Sequence, residues 1–268
     1  YQAVERTLML LVVVMSGCFL VTAVMVGPHM GELIRGLFAV SFPSGAGKTV
    51  IALIGTTIVP YNLFLHASIV SEKWSHEEDV DQSLRHCRRD TILAVGLGGC
   101  VTMAILVTSA ASFFAAGIKV DSAGTMARQL EPLLGSNARY LFAAGLFAAG
   151  MTSAVTAPLA AAYATCGALG WPKKLRSGRF SLVWILVIVV GTLLATLTGK
   201  SPIQAILFAQ AANGLLLPVV VVFLLVVMNR GNLLGRYTNN ITANVIGALV
   251  ALIAGGIGVR AIVKLFLP

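Results

Sequence analysis

Pro60 stands inside an apolar run that extends from residue 49 to residue 71, and no other feature limits the fold of this chain as sharply. A run of that length is enough to cross a hydrocarbon layer as a helix. In hydrocarbon every backbone amide and carbonyl must find its partner within the protein. Pro60 has no N–H to give, and its ring crowds the carbonyl one turn earlier. Gly55, Thr56 and Thr57 lie directly upstream, and Tyr61 and Asn62 directly downstream. The expectation is an interrupted span with free carbonyls and polar groups near the bilayer midplane. Interrupted helices of this kind form ion and substrate sites in membrane transport proteins.

The rest of the chain has the composition such a span requires. Its 268 residues are 57% hydrophobic and only 11% charged, against about 25% charged in a soluble domain. Apolar runs long enough to span are expected near 7–27, 49–71, 91–116, 138–169, 180–198, 201–228 and 239–267. The fold expected is all-α, an integral membrane helical bundle forming one transmembrane domain over 1–268. The net charge of +9 does not point to nucleic acid, because the basic residues are scattered over short loops with no aromatic-interleaved stripe. They alternate instead. Segments 72–90, 171–180 and 229–238 carry ten Lys and Arg, including Arg85, Arg88, Lys173 and Arg230, whereas the intervening loops carry six. The richer set is expected on the cytoplasmic side, so the first span starts inside and the last ends outside.

No Asp or Glu falls within any expected span; the acidic residues cluster at 72–81, as on a solvated helix extension. Segment 121–135, with Met126, Leu130, Leu133 and Leu134, suggests a short amphipathic helix outside the membrane. Pro43 to Gly47 reads as a turn before the second span. Tyr1 is not a start methionine and the first span begins almost at once, so the chain reads as the C-terminal part of a longer protein. Cys18, Cys87, Cys100 and Cys166 have neither zinc-site nor disulfide-framework spacing.

Gly45-Ala46-Gly47-Lys48-Thr49 has the look of a phosphate loop, but Phe42 stands where that motif needs glycine, and a membrane span follows. The fourth span, Gly150 to Ala162, is rich in small residues, which suit close helix packing or the lining of a pathway. In the second span Asn62 and His66 are four residues apart on one helical face. They either line a polar path or bond a neighbouring helix. In the sixth span Gln210 and Asn213 are three apart, so both can face one cavity. Their amide oxygens are neutral hard ligands suited to a cation, or partners for another helix. No acid–base or nucleophile–base pair stands out, and an enzyme is not expected.

Taken together, Gly55-Thr56-Thr57-Ile58-Val59-Pro60-Tyr61-Asn62-Leu63-Phe64-Leu65-His66 resembles the sixth helix of the Nramp family of divalent metal transporters, with its pattern Gly-Ala-x-x-Met-Pro-His-Asn-Leu-Tyr-Leu-His. Met15 to Glu32 resembles the fifth helix and following loop of that family, and Gln210, Asn213 and Pro218 resemble its tenth helix. The resemblance implies a LeuT-type (APC-like) inverted-repeat fold, seen here as helices five to eleven, with the N-terminal helices of the same protein missing. The family's first helix supplies an Asp-Pro-Gly-Asn motif whose Asp and Asn bind metal, and no such motif occurs here.

By the resemblance, the metal ligands in this chain would be the Thr56 carbonyl and the Gln210 side chain. Thr57, Pro60, Tyr61, Asn62, His66 and Asn213 would support the site or line its pathway. Val59 replaces the family's metal-binding methionine, and with the sulfur goes the preference for softer metals. That similarity is closest to Nramp-related magnesium transporters and favours Mg²⁺, Mn²⁺ or a similar hard cation. Tyr61 replaces a histidine linked to proton coupling, and tyrosine holds its proton near neutral pH. The expected function is divalent cation transport by alternating access, with membrane lipid and the metal ion as partners and no resident cofactor. The expected location is a bacterial plasma membrane. A non-transporting sensor or signalling module, or an organic-solute carrier on the same scaffold, are the alternatives.

Overall fold

The computed structural model describes residues 2–28, 30–38, 47–57, 59–74, 79–114, 116–174, 176–197 and 202–266. The turn before Gly47, the break residue Ile58, the acidic Glu77 and Glu78, and Lys200 and Ser201 lie outside the described residues. Within them the structure is helical, without a strand. In chain order come α1 (Gln2–Val26), α2 (Met30–Phe38), α3 (Gly47–Thr57), α4 (Pro60–Lys73) and α5 (Val80–Ser109), which runs on into a π-helical turn (Ala110–Phe114). Two short helices follow, α6 (Ala123–Ala127) and α7 (Glu131–Leu134), and then α8 (Ala138–Ala168), α9 (Gly178–Leu197), α10 (Pro202–Met228), α11 (Gly231–Leu234) and α12 (Ile241–Phe266).

Helices occupy all seven expected spans. Among the described residues five stretches are long and apolar enough to cross a membrane, or six if the bent pair Gly231–Tyr237 and Ile241–Gly256 counts as one. The run over 49–71 is indeed broken: α3 has 11 residues and α4 has 14, each short of a full crossing. The third span starts earlier than its apolar run. Asp79, extended at φ −94° and ψ 103°, caps α5 by accepting from the Asp81 N–H at 2.9 Å, so the charged segment before residue 91 forms the first turns of the helix. Large apolar side chains point outward along the long helices: Ile92 is 70% exposed, Phe208 79% and Leu252 70%. Hydrocarbon rather than water suits such faces.

Hydroxyls on these helices bond their own backbone. Ser16 donates to the Val12 carbonyl at 2.8 Å, Thr22 to Cys18 at 2.7 Å, Thr91 to Cys87 at 2.8 Å and Thr156 to Thr152 at 2.9 Å. The side-chain polarity is thereby cancelled without a partner helix. Thr152 does the same, donating to Ala148 at 3.1 Å and Ala149 at 2.9 Å, so two hydroxyls of the small-residue stretch in α8 are engaged with their own helix.

The chain divides into two compact units. The first, Tyr1–Val40 with Ser68–Pro158, packs Phe19, Ala104, Ala127, Leu130, Ala138 and Phe142 into one core, with Phe19 edge-on to Phe142 at 6.5 Å. The connector 121–135 forms α6, α7 and 3₁₀ turns and sends fully buried Leu130 into that core. Gln129 goes in beside it, accepting from Thr108 at 3.3 Å just before the π turn.

The second unit, Ser41–Ala67 with Leu159–Pro268, has a core of Ala162, Cys166 and Phe180 joining α8 to α9, and a second contact region where α3 and α12 pack on α10. The turn between α10 and α12 is closed by amides. Asn229 and Asn244 exchange side-chain bonds at 2.8 and 2.7 Å, and Asn239 donates to Asn244 at 3.0 Å. Asn240 caps α12 by accepting from the Ala243 N–H at 2.8 Å.

The alternation of basic loops predicts an orientation, which labelling checks. In a cysteine-free background, Gln82→Cys reacts with a membrane-impermeant maleimide only from the cytoplasmic side, and Lys119→Cys only from the other.

Candidate functional site

The break follows from chemistry already visible in the sequence. The helical donor for the Thr56 carbonyl would be the N–H of residue 60, and proline has none. Accordingly α3 ends at Thr57 and α4 opens on Pro60 at its first position, where a missing N–H costs a helix nothing. Between them Val59 is buried, and its carbonyl accepts from the Asn62 N–H at 3.0 Å, starting α4 with a tight turn.

Glycines set what faces the break. A Cβ on Gly55 would fall on the backbone carbonyl of Gln210 and within 2.5 Å of the Gly214 nitrogen. A Cβ on Gly214 would lie 2.5 Å from the Ile51 carbonyl oxygen and 2.9 Å from its Cγ2. Ile51 and Gly55 are one turn apart on α3, and Gln210 and Gly214 one turn apart on α10. The two backbones therefore touch over a full turn, as small residues allow in membrane helices. Ile51, Ala52 and Leu217 are buried along this contact. α10 runs on unbroken through Pro218, although that proline removes the helical donor for the Gly214 carbonyl.

The structure therefore brings the end of α3 at Gly55, the residue before Thr56, to the turn of α10 that carries Gln210. Gln210 and Asn213 are half-buried, and the Asn213 amide donates to Gln210 Oε1 at 3.2 Å. Asn213 thus fixes which way the Gln210 oxygen faces, and that oxygen retains a second lone pair for a ligand. Thr56, Asn62 and His66 are exposed. The side chains of Thr57, Pro60 and Tyr61 lie outside the described residues. Among the described residues no three His, Cys, Asp or Glu side chains converge as a metal site, so the oxygens offered here are neutral amides and carbonyls.

Gly214 was not singled out by sequence reasoning, although its place one turn after Gln210 and one turn before Pro218 is a legible signal. The reach of Gly55 onto α10 was not legible, because it depends on a partner far along the chain.

Comparison with known proteins bears on this arrangement. The family model described as natural resistance-associated macrophage protein-like matches residues 1–264. Among curated relatives, the natural resistance-associated macrophage protein 2 homolog of Dictyostelium discoideum is 26% identical over 98% of this chain and 43% of its own length. The divalent metal cation transporter MntH of Acidiphilium cryptum is 27% identical over 99% of this chain and 61% of its own length. That of Staphylococcus saprophyticus is 26% identical over 99% and 62%. The chain thus spans roughly half the length of the relatives it matches. With its apolar helices long enough to cross a bilayer, it is a multi-pass integral membrane protein, and it belongs to the natural resistance-associated macrophage protein-like (Nramp) family.

Proposed function

We propose that this chain forms part of a divalent metal cation transporter that holds its ion at the break between α3 and α4 and works by alternating access. The observation that carries the reading is the contact of Gly55 with the backbone of Gln210 and Gly214. It brings Gly55, the chain neighbour of Thr56, against the turn that bears Gln210, which supports a site shared by the Thr56 carbonyl and that amide. The Thr56 carbonyl and Gln210 Oε1 serve as metal ligands, with Asn213 holding Gln210 in place. Thr57, Pro60, Tyr61, Asn62 and His66 form the surroundings of the site and its pathway. The relatives named divalent metal cation transporters support the class of substrate.

The ligand chemistry argues for a hard ion. Carbonyl, amide and water oxygens suit Mg²⁺ or Mn²⁺, and Val59 offers no thioether for softer metals. A divalent ion in a low-dielectric site also needs opposite charge nearby, and the second unit offers none beside the break. Carboxylate from helices outside these 268 residues, completing a LeuT-type fold, meets that need. Helix bundles rocking about the fixed site then expose the ion to each side in turn, most simply across a bacterial plasma membrane.

Metal uptake into liposomes by the full-length protein tests the assignment. Gln210→Ala lowers uptake by about tenfold or more, the loss of one hydrogen-bond-strength contact to a charged group. Thr56→Pro keeps the carbonyl but removes the residue-56 N–H from α3 and so displaces that carbonyl, with a loss of about the same size. Unchanged uptake in both variants sinks the site. Asn213→Ala has a smaller effect, about fivefold on apparent affinity. Val59→Met shifts competition toward Cd²⁺ over Mg²⁺, and no shift would separate this position from the ion. The 268 residues alone transport little or nothing.

The close contact gives a further expectation. Gly55→Leu and Gly214→Leu each overpack the α3–α10 contact and destabilise by about 1–3 kcal/mol or more, read as a lower Tm in detergent. Gly191→Ala on α9, where a Cβ meets nothing within 4 Å, leaves Tm unchanged or raises it.

A further inference from the structure

Away from the helix break, the first unit carries a groove that none of the metal chemistry uses. Its walls are two helical faces: Ala123, Gly124 and Ala127 of α6, and Arg139, Phe142, Ala143, Leu146 and Phe147 of α8, enclosing about 340 Å³. The α8 residues recur at three- and four-residue steps, so they form one stripe. Small side chains make the floor, and open space surrounds Gly124, where a Cβ would come only within 3.8 Å of the Ser122 hydroxyl. Ala127 and Phe142 are buried and tie the groove to the core of the unit, while Leu146 and Phe147 stay 47% and 64% exposed.

One end of the groove is charged. Arg139 lies in the first turn of α8, its guanidinium 4.7 Å above the Tyr140 ring and its Nη2 donating to the Tyr140 hydroxyl at 2.9 Å. Tyrosine and arginine at the end of a membrane helix mark the headgroup level. Stacking and one hydrogen bond hold the guanidinium in place, and its remaining N–H groups suit the paired oxygens of a phosphate. The start of α8 adds the favourable end of its dipole. From Arg139 to Phe147 the stripe descends about 12 Å at the helical rise per residue, charged at the top and apolar below.

We propose that this groove binds an anionic phospholipid, the headgroup phosphate on Arg139 and an acyl chain along Ala143, Leu146 and Phe147. The polarity matches a lipid lying parallel to α8, because cation and apolar stripe are ordered along the axis in which headgroup and chain are ordered. A neutral apolar partner would leave the cation unused, and a free phosphate would leave the groove below it unfilled.

The test places a fluorophore in the groove of the full-length protein. With every native tryptophan of the full-length protein, Trp74, Trp171 and Trp184 among them, changed to Phe, Phe147→Trp reports quenching by dibrominated phosphatidylglycerol or dibrominated phosphatidylcholine in reconstituted bilayers. The expected result is about fivefold stronger association of the anionic lipid, the effect of one basic side chain at the membrane surface. Arg139→Gln abolishes that preference while quenching by phosphatidylcholine persists. Gly124→Leu, whose Cβ has open space beyond the Ser122 hydroxyl and whose branch extends from a groove-lining position, weakens quenching by both lipids, with the helical circular dichroism retained. Equal quenching by the two lipids, unaltered by Arg139→Gln, would mean an ordinary lipid annulus and overturn the proposal. Absence of quenching by either would mean that protein covers this face, whether another segment or a second copy, and would overturn it too.

Discussion

The contact between the backbones of α3 and α10 is the constraint on which the second unit depends. A broken helix in a bilayer is a liability, because half-helices expose polar termini and bury little surface of their own. Here α3 has 11 residues and would not hold its place by length. It is held because Gly55 and Gly214 have no side chains, which lets backbone meet backbone over a full turn. Dispersion and Cα–H···O contacts then replace the hydrophobic drive that lipid does not provide between membrane helices. The same contact carries the polar end of α3 to Gln210, so the device that stabilises the break also gives it a chemical neighbour.

Two prolines divide the work around that contact. Pro60 stops α3 and starts α4, whereas Pro218 sits inside an uninterrupted α10. The residue type is the same, and the difference lies in what surrounds it. Directly upstream of Pro60 stand four β-branched residues, Thr56, Thr57, Ile58 and Val59, poorer helix formers than leucine. Upstream of Pro218 stand three leucines that keep the helix regular. Along the long helices several hydroxyls, those of Ser16, Thr22, Thr152 and Thr156 among them, return a hydrogen bond to carbonyls three or four residues back.

Much of this was legible from residue order. The apolar runs gave the long helices, and Pro60 marked the break to within two residues. The spacing of Gln210 and Asn213 foretold that they share a face, and their hydrogen bond bears it out. The apolar run near 91–116 marked only the apolar part of α5; the charged residues before it belong to the same helix, which starts at Val80 with Asp79 as its cap. The pairing of Gly55 with Gln210, and of Thr108 with Gln129, was not legible. Each joins residues through packing, and a hydrophobic pattern records which face is apolar but not which neighbour it meets. The division into two units was hidden for the same reason, since α8 contributes to both without any change in its composition.

The asparagines between α10 and α12 have one more consequence. Hairpins at a membrane surface are commonly closed by ion pairs, which weaken with salt and with protonation. Asn229, Asn239 and Asn244 do the closing here with groups that carry no charge and take up no proton. Those amide bonds therefore neither titrate nor depend on salt as an ion pair does, so this part of the closure between α10 and α12 is the same in acid as at neutral pH.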